Sequence, residues 1–86
     1  MTRLIVERSF EKPLSEADHK AAGDRLAPCL EAHNVRWIRS YLSADRLRML
    51  CEYEAPDAEA VRISNRSAGF SFDRVWNVEL LLPQEH

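Results

Sequence analysis

The chain has 86 residues, of which 45% are hydrophobic and 30% charged, and its formal net charge is −2. This length predicts one domain, residues 1–86, with a core of marginal size. The small negative charge and scattered basic residues exclude the general electrostatic attraction that nucleic-acid and anionic-membrane binding depend on. No apolar run approaches the roughly 20 residues of a membrane-spanning helix.

The first residues lack the hydrophobic region of a signal peptide, because charge returns at Glu7 and Arg8. We therefore expect a cytoplasmic protein that binds neither membranes nor nucleic acid. In that compartment Cys29 and Cys51, which both fall on apolar stripes, are expected to be reduced and unpaired.

The N-terminal part of the chain predicts a strand followed by a helix. Loose alternation of apolar and polar residues over 4–10 indicates the strand. Ser15 is a typical N-cap, and the apolar stripe after it extends to about His33, with Asn34 as the C-terminal cap. Pro28 lies inside this span and predicts a kink or the loss of one hydrogen bond, and with it a division of the helix into two pieces.

A β-hairpin is predicted over residues 35–54, with a tight turn at 43–46. Central turn residues Ala44 and Asp45 would pair Tyr41 with Arg48, Arg39 with Leu50, and Trp37 with Glu52. The core face then carries Ile38, Leu42, Leu47, Met49, Cys51 and Tyr53. The opposite face mixes aromatic rings with both signs of charge, as in a ligand site or a wet interface; it carries Trp37, Arg39, Tyr41, Arg48 and Glu52.

The C-terminal part predicts a second helix from Ala58 to about Ala68, stopped by Gly69, and a last strand over 72–82. The element order β-α-β-β-α-β is that of a ferredoxin-like α+β domain, in which both helices cover one face of an antiparallel sheet. The last strand is too apolar for a face left wholly in water. A homodimer that pairs the uncovered faces would bury it, together with Trp37, Tyr41 and Leu50.

Several segments resemble a family of small bacterial proteins of unknown function that is often labelled nickel-binding. They are Val6–Arg8, Trp37–Tyr41, Cys51–Pro56, Asp57–Arg62 and Ala68–Phe70, and the resemblance covers about residues 4–82. It implies a ferredoxin-like fold, pairing into a dimeric α/β barrel, and Ni²⁺ as a ligand. The family often has histidine where this chain has Arg39, and Leu-Pro where this chain has Phe70-Ser71. Because arginine stays protonated, the nickel label transfers poorly to Arg39.

The predicted cleft between two uncovered faces is lined by Glu7, Arg39, Arg48 and Glu52, with Trp37 and Tyr41 beside them. Two enclosed carboxylates could act as acid and base, or could form ion pairs with Arg39 and Arg48; we favour the ion pairs. Elsewhere, Cys29 and His33 are four residues apart on one helix, a spacing that can hold Ni²⁺ or Zn²⁺. Both lie on the apolar stripe, so we favour a core role for the pair.

Three functions are compatible with this pattern. The one we favour is a homodimeric binding protein that takes a metal ion or a small ligand in its sheet cleft. The second is a cofactor-free enzyme of the dimeric α/β-barrel type, an oxygenase or isomerase with Glu7 and Glu52 as acid–base groups. The third is a structural domain whose sheet face is only a dimer seam. No serine-protease-like triad, phosphate-binding loop or paired-cysteine motif occurs in the sequence.

Overall fold

A computed structural model describes residues 1–84, so the last two residues of the predicted domain lie outside it. The elements are, in chain order, β1 Thr2–Ser9, α1 Glu16–Ala32, β2 Arg36–Leu42, β3 Arg48–Ala55, α2 Ala58–Ser67 and β4 Arg74–Asn77. The strands form one antiparallel sheet in the order β2-β3-β1-β4. The predicted ferredoxin-like α+β fold is confirmed.

The core lies between the two helices and one face of the sheet. Strand residues alternate between faces, and the side chains of β1 and β3 that face the helices are fully or almost fully buried. The central members of the core are Leu4, Val6, Met49, Cys51 and Tyr53 of the sheet, Leu26 and Leu30 of α1, and Val61 of α2. The same alternation places the intervening residues of β1 and β3 on the helix-free face.

Local capping explains where the helices begin and end. The side chain of Ser15 accepts a hydrogen bond from the Asp18 amide at 3.0 Å, and the side chain of Asp57 accepts one from the Ala60 amide at 2.8 Å. Asn34 and Gly69 follow the two helices with positive φ angles of 58° and 68°. After each of them the chain closes a Schellman motif, as in the Val35 amide to Leu30 carbonyl bond of 2.9 Å.

Pro28 lies inside α1, but the helix runs as one element from Glu16 to Ala32. The predicted division into two pieces is therefore wrong. Proline removes a single intrahelical donor, and Pro28 lies on an exposed side of the helix. There the carbonyl that loses its partner can bind water instead.

The hairpin turn is longer than predicted. Ser43 pairs with Arg48 through an amide-to-carbonyl bond of 2.9 Å, and the four residues between them include Arg46 with a φ of 64°. The side chain of Asp45 accepts from the Leu47 amide at 3.0 Å and fixes this wider loop. Tyr41 consequently pairs with Leu50 and Arg39 with Glu52, so the predicted register is wrong by two residues. Because side chains alternate with a period of two, this shift leaves Tyr41 and Arg39 on their predicted face.

A β-bulge in β2 reverses the position of one predicted cleft residue. Trp37 pairs with Tyr53 and Arg39 with Glu52, which leaves Ile38 as the extra residue. Trp37 therefore points to the helix side, where its Nε1 donates to Ser40 Oγ at 2.9 Å. Its ring lies edge-on to His19 of α1, with ring centroids 6.5 Å apart. The prediction that Trp37 belongs to the helix-free face is wrong.

The last strand is also shorter than predicted. β4 pairs only with β1, and its final backbone bond joins the Val78 amide to the Arg3 carbonyl at 3.0 Å. Residues 78–84 have no regular structure, and Leu80, Leu81 and Leu82 are exposed.

The largest buried side chain is a charged one, Arg8, which is 2% exposed on the helix side of β1. Its guanidinium donates to the carbonyls of Phe70 and Ser71 at 3.2 and 3.1 Å, to the Tyr53 hydroxyl at 3.2 Å, and to Asn65 Oδ1. It also lies 3.8 Å from the centroid of the Phe70 ring. All of these acceptors are neutral, so dipoles and a π face stabilise this charge.

We expect Tyr53 to make stability fall in alkaline solution. Burial raises the pKa of its hydroxyl to about 12, the neighbouring Cys51 side chain adds to the rise, and Arg8 opposes it. The unfolded chain loses this proton near its ordinary pKa of about 10 while the folded chain keeps it. The pKa shift of Tyr53 therefore contributes fully to the unfolding free energy below about pH 10. This contribution, about 2 to 3 kcal/mol, is lost as the pH rises to about 12.

Urea unfolding at a series of pH values, with Tyr53→Phe compared to wild type, measures this change. Over that pH range wild type should lose about 2 to 3 kcal/mol of unfolding free energy relative to Tyr53→Phe, which has no hydroxyl to ionise. Parallel pH curves for wild type and Tyr53→Phe would contradict the expectation.

Candidate functional site

The helix-free side of the sheet, which we call the open sheet face, is a surface of charged and aromatic side chains in cross-strand rows. One row contains Arg39, Glu52, Ile5 and Trp76 from β2, β3, β1 and β4. The next row contains Tyr41, Leu50, Glu7 and Arg74 in the same strand order. Arg3, Arg36, Arg48 and Glu54 complete the open sheet face.

Glu52 is the most buried charged residue of this face and is 7% exposed. One of its oxygens accepts from Arg3, and the other lies 3.2 Å from Arg39 Nε. Glu54 extends the network, because it pairs with Arg3 and Arg36 at 3.5 Å each. Two guanidiniums thus hold one nearly buried carboxylate at the centre of the sheet, which is a strong, charge-assisted arrangement.

Glu7 lies on the same face but belongs to a second, separate cluster. Its Oε2 accepts from Arg74 Nε at 3.0 Å and from Trp76 Nε1 at 2.7 Å. Glu7 stands opposite Leu50, one row away from Glu52. The favoured ion-pair interpretation therefore describes both carboxylates. The predicted partners were Arg39 and Arg48; in the structure Arg39 pairs with Glu52, whereas Glu7 pairs with Arg74.

Large apolar groups lie between these charges. Tyr41, Leu50 and Trp76 are 59, 41 and 46% exposed, although all three belong to the central rows of the open sheet face. Trp76 was not among the predicted site residues. The signal for it was present in the sequence, because the alternation that turns Val75 toward the core places Trp76 on the other side.

The two residues predicted as a metal pair are separate from the open sheet face. Cys29 and His33 lie one turn apart on and just after α1, both half-buried, and Cys29 packs against the core. Cys29 and Cys51 are free thiols. Within residues 1–84, no group of three or more His, Cys, Asp or Glu side chains lies close enough together to hold a metal ion. A metal on Cys29 and His33 would therefore need further ligands from water or another molecule.

The fold and this surface define a class: a small ferredoxin-like domain with one helix-covered face and one ion-paired, aromatic face. The family model described as nickel responsive protein SCO4226-like matches residues 4–78, and the chain belongs to this family. The matched residues include most of β1 and the whole of β2, β3 and β4, the strands that form the open sheet face.

A solved structure agrees with this placement. The crystal structure of SCO4226 from Streptomyces coelicolor A3(2) superposes with a TM-score of 0.82 at 19% sequence identity, over 93% of this chain and 99% of that one. At this identity the likeness establishes the fold alone. No curated protein sequence matches the chain. Among the described residues, no helix is long and apolar enough to cross a membrane.

We expect Glu52 to contribute strongly to stability. Glu52→Gln leaves Arg3 and Arg39 without their shared carboxylate in a nearly buried position, and should lower the unfolding free energy by about 1 to 3 kcal/mol. Glu59→Gln is the matched control, since Glu59 forms an exposed pair with Arg62 and its loss should change stability by at most about 0.5 kcal/mol. Urea unfolding at one fixed protein concentration measures both, and equal effects would contradict the central role of Glu52.

Proposed function

We propose that this chain is a small homodimeric binding protein whose two open sheet faces pack together and enclose a cleft for an anionic ligand. The observation that carries the proposal is the composition of that face. It exposes Tyr41, Leu50 and Trp76 in adjacent rows, while its carboxylates are already neutralised by arginines. Exposed aromatic and apolar groups of this size are typical of interaction surfaces.

A second copy is the occupant that fits this surface best. A domain of this length has a marginal core, and pairing through a sheet face adds buried apolar area without new secondary structure. A twofold interface brings the same patch of each subunit together, so it requires a self-complementary surface. The composition of the open sheet face supports such pairing, because its rows contain aromatic rings and both signs of charge.

The charge of the open sheet face favours an anion as the ligand. Five arginines and three glutamates lie on it: Arg3, Arg36, Arg39, Arg48 and Arg74 with Glu7, Glu52 and Glu54. Guanidinium groups recognise carboxylates through paired hydrogen bonds. Arg39 is about half exposed and Arg48 is exposed, so both can reach into the cleft.

The family is described as nickel responsive, which makes nickel the second ligand to consider. A guanidinium stays protonated and repels a cation, so Arg39 cannot serve where the family often has histidine. We propose that nickel binds weakly in this cleft. Cys29 and His33 on α1 are then the next candidates for a nickel response.

We expect light scattering at micromolar concentration to give twice the chain mass of 10.0 kDa. Leu50→Glu places a carboxylate in the proposed seam and should convert the protein to a monomer that keeps its fold. Ile63→Glu is the matched control, because Ile63 is 39% exposed on α2, away from the sheet face. A wild-type monomer, or the same response from both variants, would rule out the proposed interface.

We expect Arg39→His to exchange the ligand preference of the cleft. Calorimetry at a pH where histidine is neutral should find weak Ni²⁺ binding to wild type and tighter binding to the variant. Titration with succinate, a small dicarboxylate, should give the reverse order. Arg62→His, on the surface of α2, controls for the mere addition of a histidine. Tight nickel binding to wild type that the substitution does not improve would place the metal elsewhere.

A further inference from the structure

The helix-covered side of the molecule contains a cavity of about 350 Å³ that has no part in the proposed cleft. It lies between α1 and the β2–β3 hairpin, on the other side of the sheet. Its floor is made of the buried side chains Met49, Cys51 and Tyr53. The cavity is open to solvent on its α1 side, where Lys20, Gly23, Asp24 and Ala27 are exposed. An apolar concave surface of this size, with a floor of core side chains, is typical of the places where proteins bind small molecules.

Small residues on α1 keep the cavity open. Gly23 and Ala27 lie one helical turn apart and both line it. A Cβ atom built on Gly23 meets no heavy atom within 4 Å, so the space in front of this glycine is empty. Glycine is a poor helix former compared with alanine, and Gly23 does not have the positive φ that would require it. Neither packing nor backbone geometry explains a glycine at this position.

The bulge in β2 places an aromatic side chain at the rim of the cavity. It turns the Trp37 ring toward α1, where it lies against His19 at the mouth of the cavity. The Trp37 Nε1 group donates to Ser40 Oγ at 2.9 Å, and Ser40 Oγ donates to Cys51 Sγ at 3.1 Å. These neutral groups form a short polar edge on an otherwise apolar wall.

The walls define the kind of ligand that fits. The charged groups at the mouth, Lys20 and Asp24, pair with each other at 2.9 Å and leave no net charge for an ion. Leu26, Leu30 and Phe70 complete the apolar lining. The volume lies at the lower end of the range for small-molecule sites, about 300–1,000 Å³.

We propose that this cavity is a binding site for an uncharged, ring-sized apolar molecule with at most one hydrogen-bonding group, held between α1 and the sheet. The ring would lie against Met49, Leu30 and Phe70, and its polar group would face Ser40. The site is independent of the proposed cleft, because the sheet separates the two.

Methyl NMR of methionine tests the proposal on the intact protein, with indole as the probe. The chain has two methionines: Met49 lies in the cavity floor, and Met1 is exposed and serves as an internal reference. In protein labelled with ¹³C-methyl methionine, the Met49 signal should shift saturably on addition of indole while the Met1 signal stays in place. No Met49 shift up to the solubility limit of indole would overturn the proposal.

Gly23→Leu should fill the cavity and weaken indole binding by at least about tenfold, a loss equivalent to about 1.4 kcal/mol. Ala21→Leu is the matched control, since Ala21 is exposed on the same helix and does not line the cavity; it should bind indole as wild type does. Circular dichroism verifies folding, and Ala27→Leu takes the place of the first variant if that fails to fold. Undiminished binding in a folded, filled variant would place indole elsewhere and overturn the assignment.

Discussion

The guanidinium of Arg8 joins β1, β3, α2 and the segment that leads into β4, and the arrangement of the other parts depends on it. It binds Tyr53 and Asn65 on one side and the carbonyls of Phe70 and Ser71 on the other. Burying a charge without a carboxylate partner is costly unless its donors are satisfied, and here the Nε atom is buried with no hydrogen-bond partner among the described residues. The remaining donors and the Phe70 ring must offset that cost.

The position of the last strand follows from this contact. Arg8 fixes the two carbonyls just after α2, and the Asp73 amide then bonds to the Glu7 carbonyl at 2.7 Å. β4 begins at the next residue and brings Arg74 and Trp76 beside the carboxylate of Glu7. A buried interaction on the helix side thus determines which groups surround a carboxylate on the open sheet face.

The sequence was sufficient for the features that depend on short-range patterns. Alternation located the first strand and the face of the hairpin that packs on the core, and the capping signals at Ser15, Asn34 and Gly69 located helix ends. Even the wrong hairpin register preserved both faces, because the error was an even number of residues. The fold class and the ion pairing of Glu52 with Arg39 were therefore predictable.

Other features depend on information that no local pattern carries. The bulge at Ile38 reverses alternation at one point, and a β-strand pattern alone does not reveal an extra residue. An arginine near the end of a strand, as at Arg8, is usually exposed to solvent. Its burial is explained only by the hydrogen-bond acceptors that other parts of the fold provide. β4 ends at Asn77 although the apolar pattern continues to Leu82, so the pattern alone does not mark the end of the strand. These three features account for the misplaced Trp37, the unforeseen Arg8 cluster and the overlong last strand.

The bulge in β2 also determines which parts of the protein its intrinsic tryptophan fluorescence can monitor. The chain has two tryptophans, and the reversal at Ile38 places them on opposite sides of the sheet. Trp37 lies over the helix-side cavity, and Trp76 lies among the ion pairs of the open sheet face. Indole emission depends on local polarity, so each ring is a natural fluorophore for its own side. Removing either tryptophan leaves a protein in which the intrinsic fluorescence follows events on one face without interference from the other.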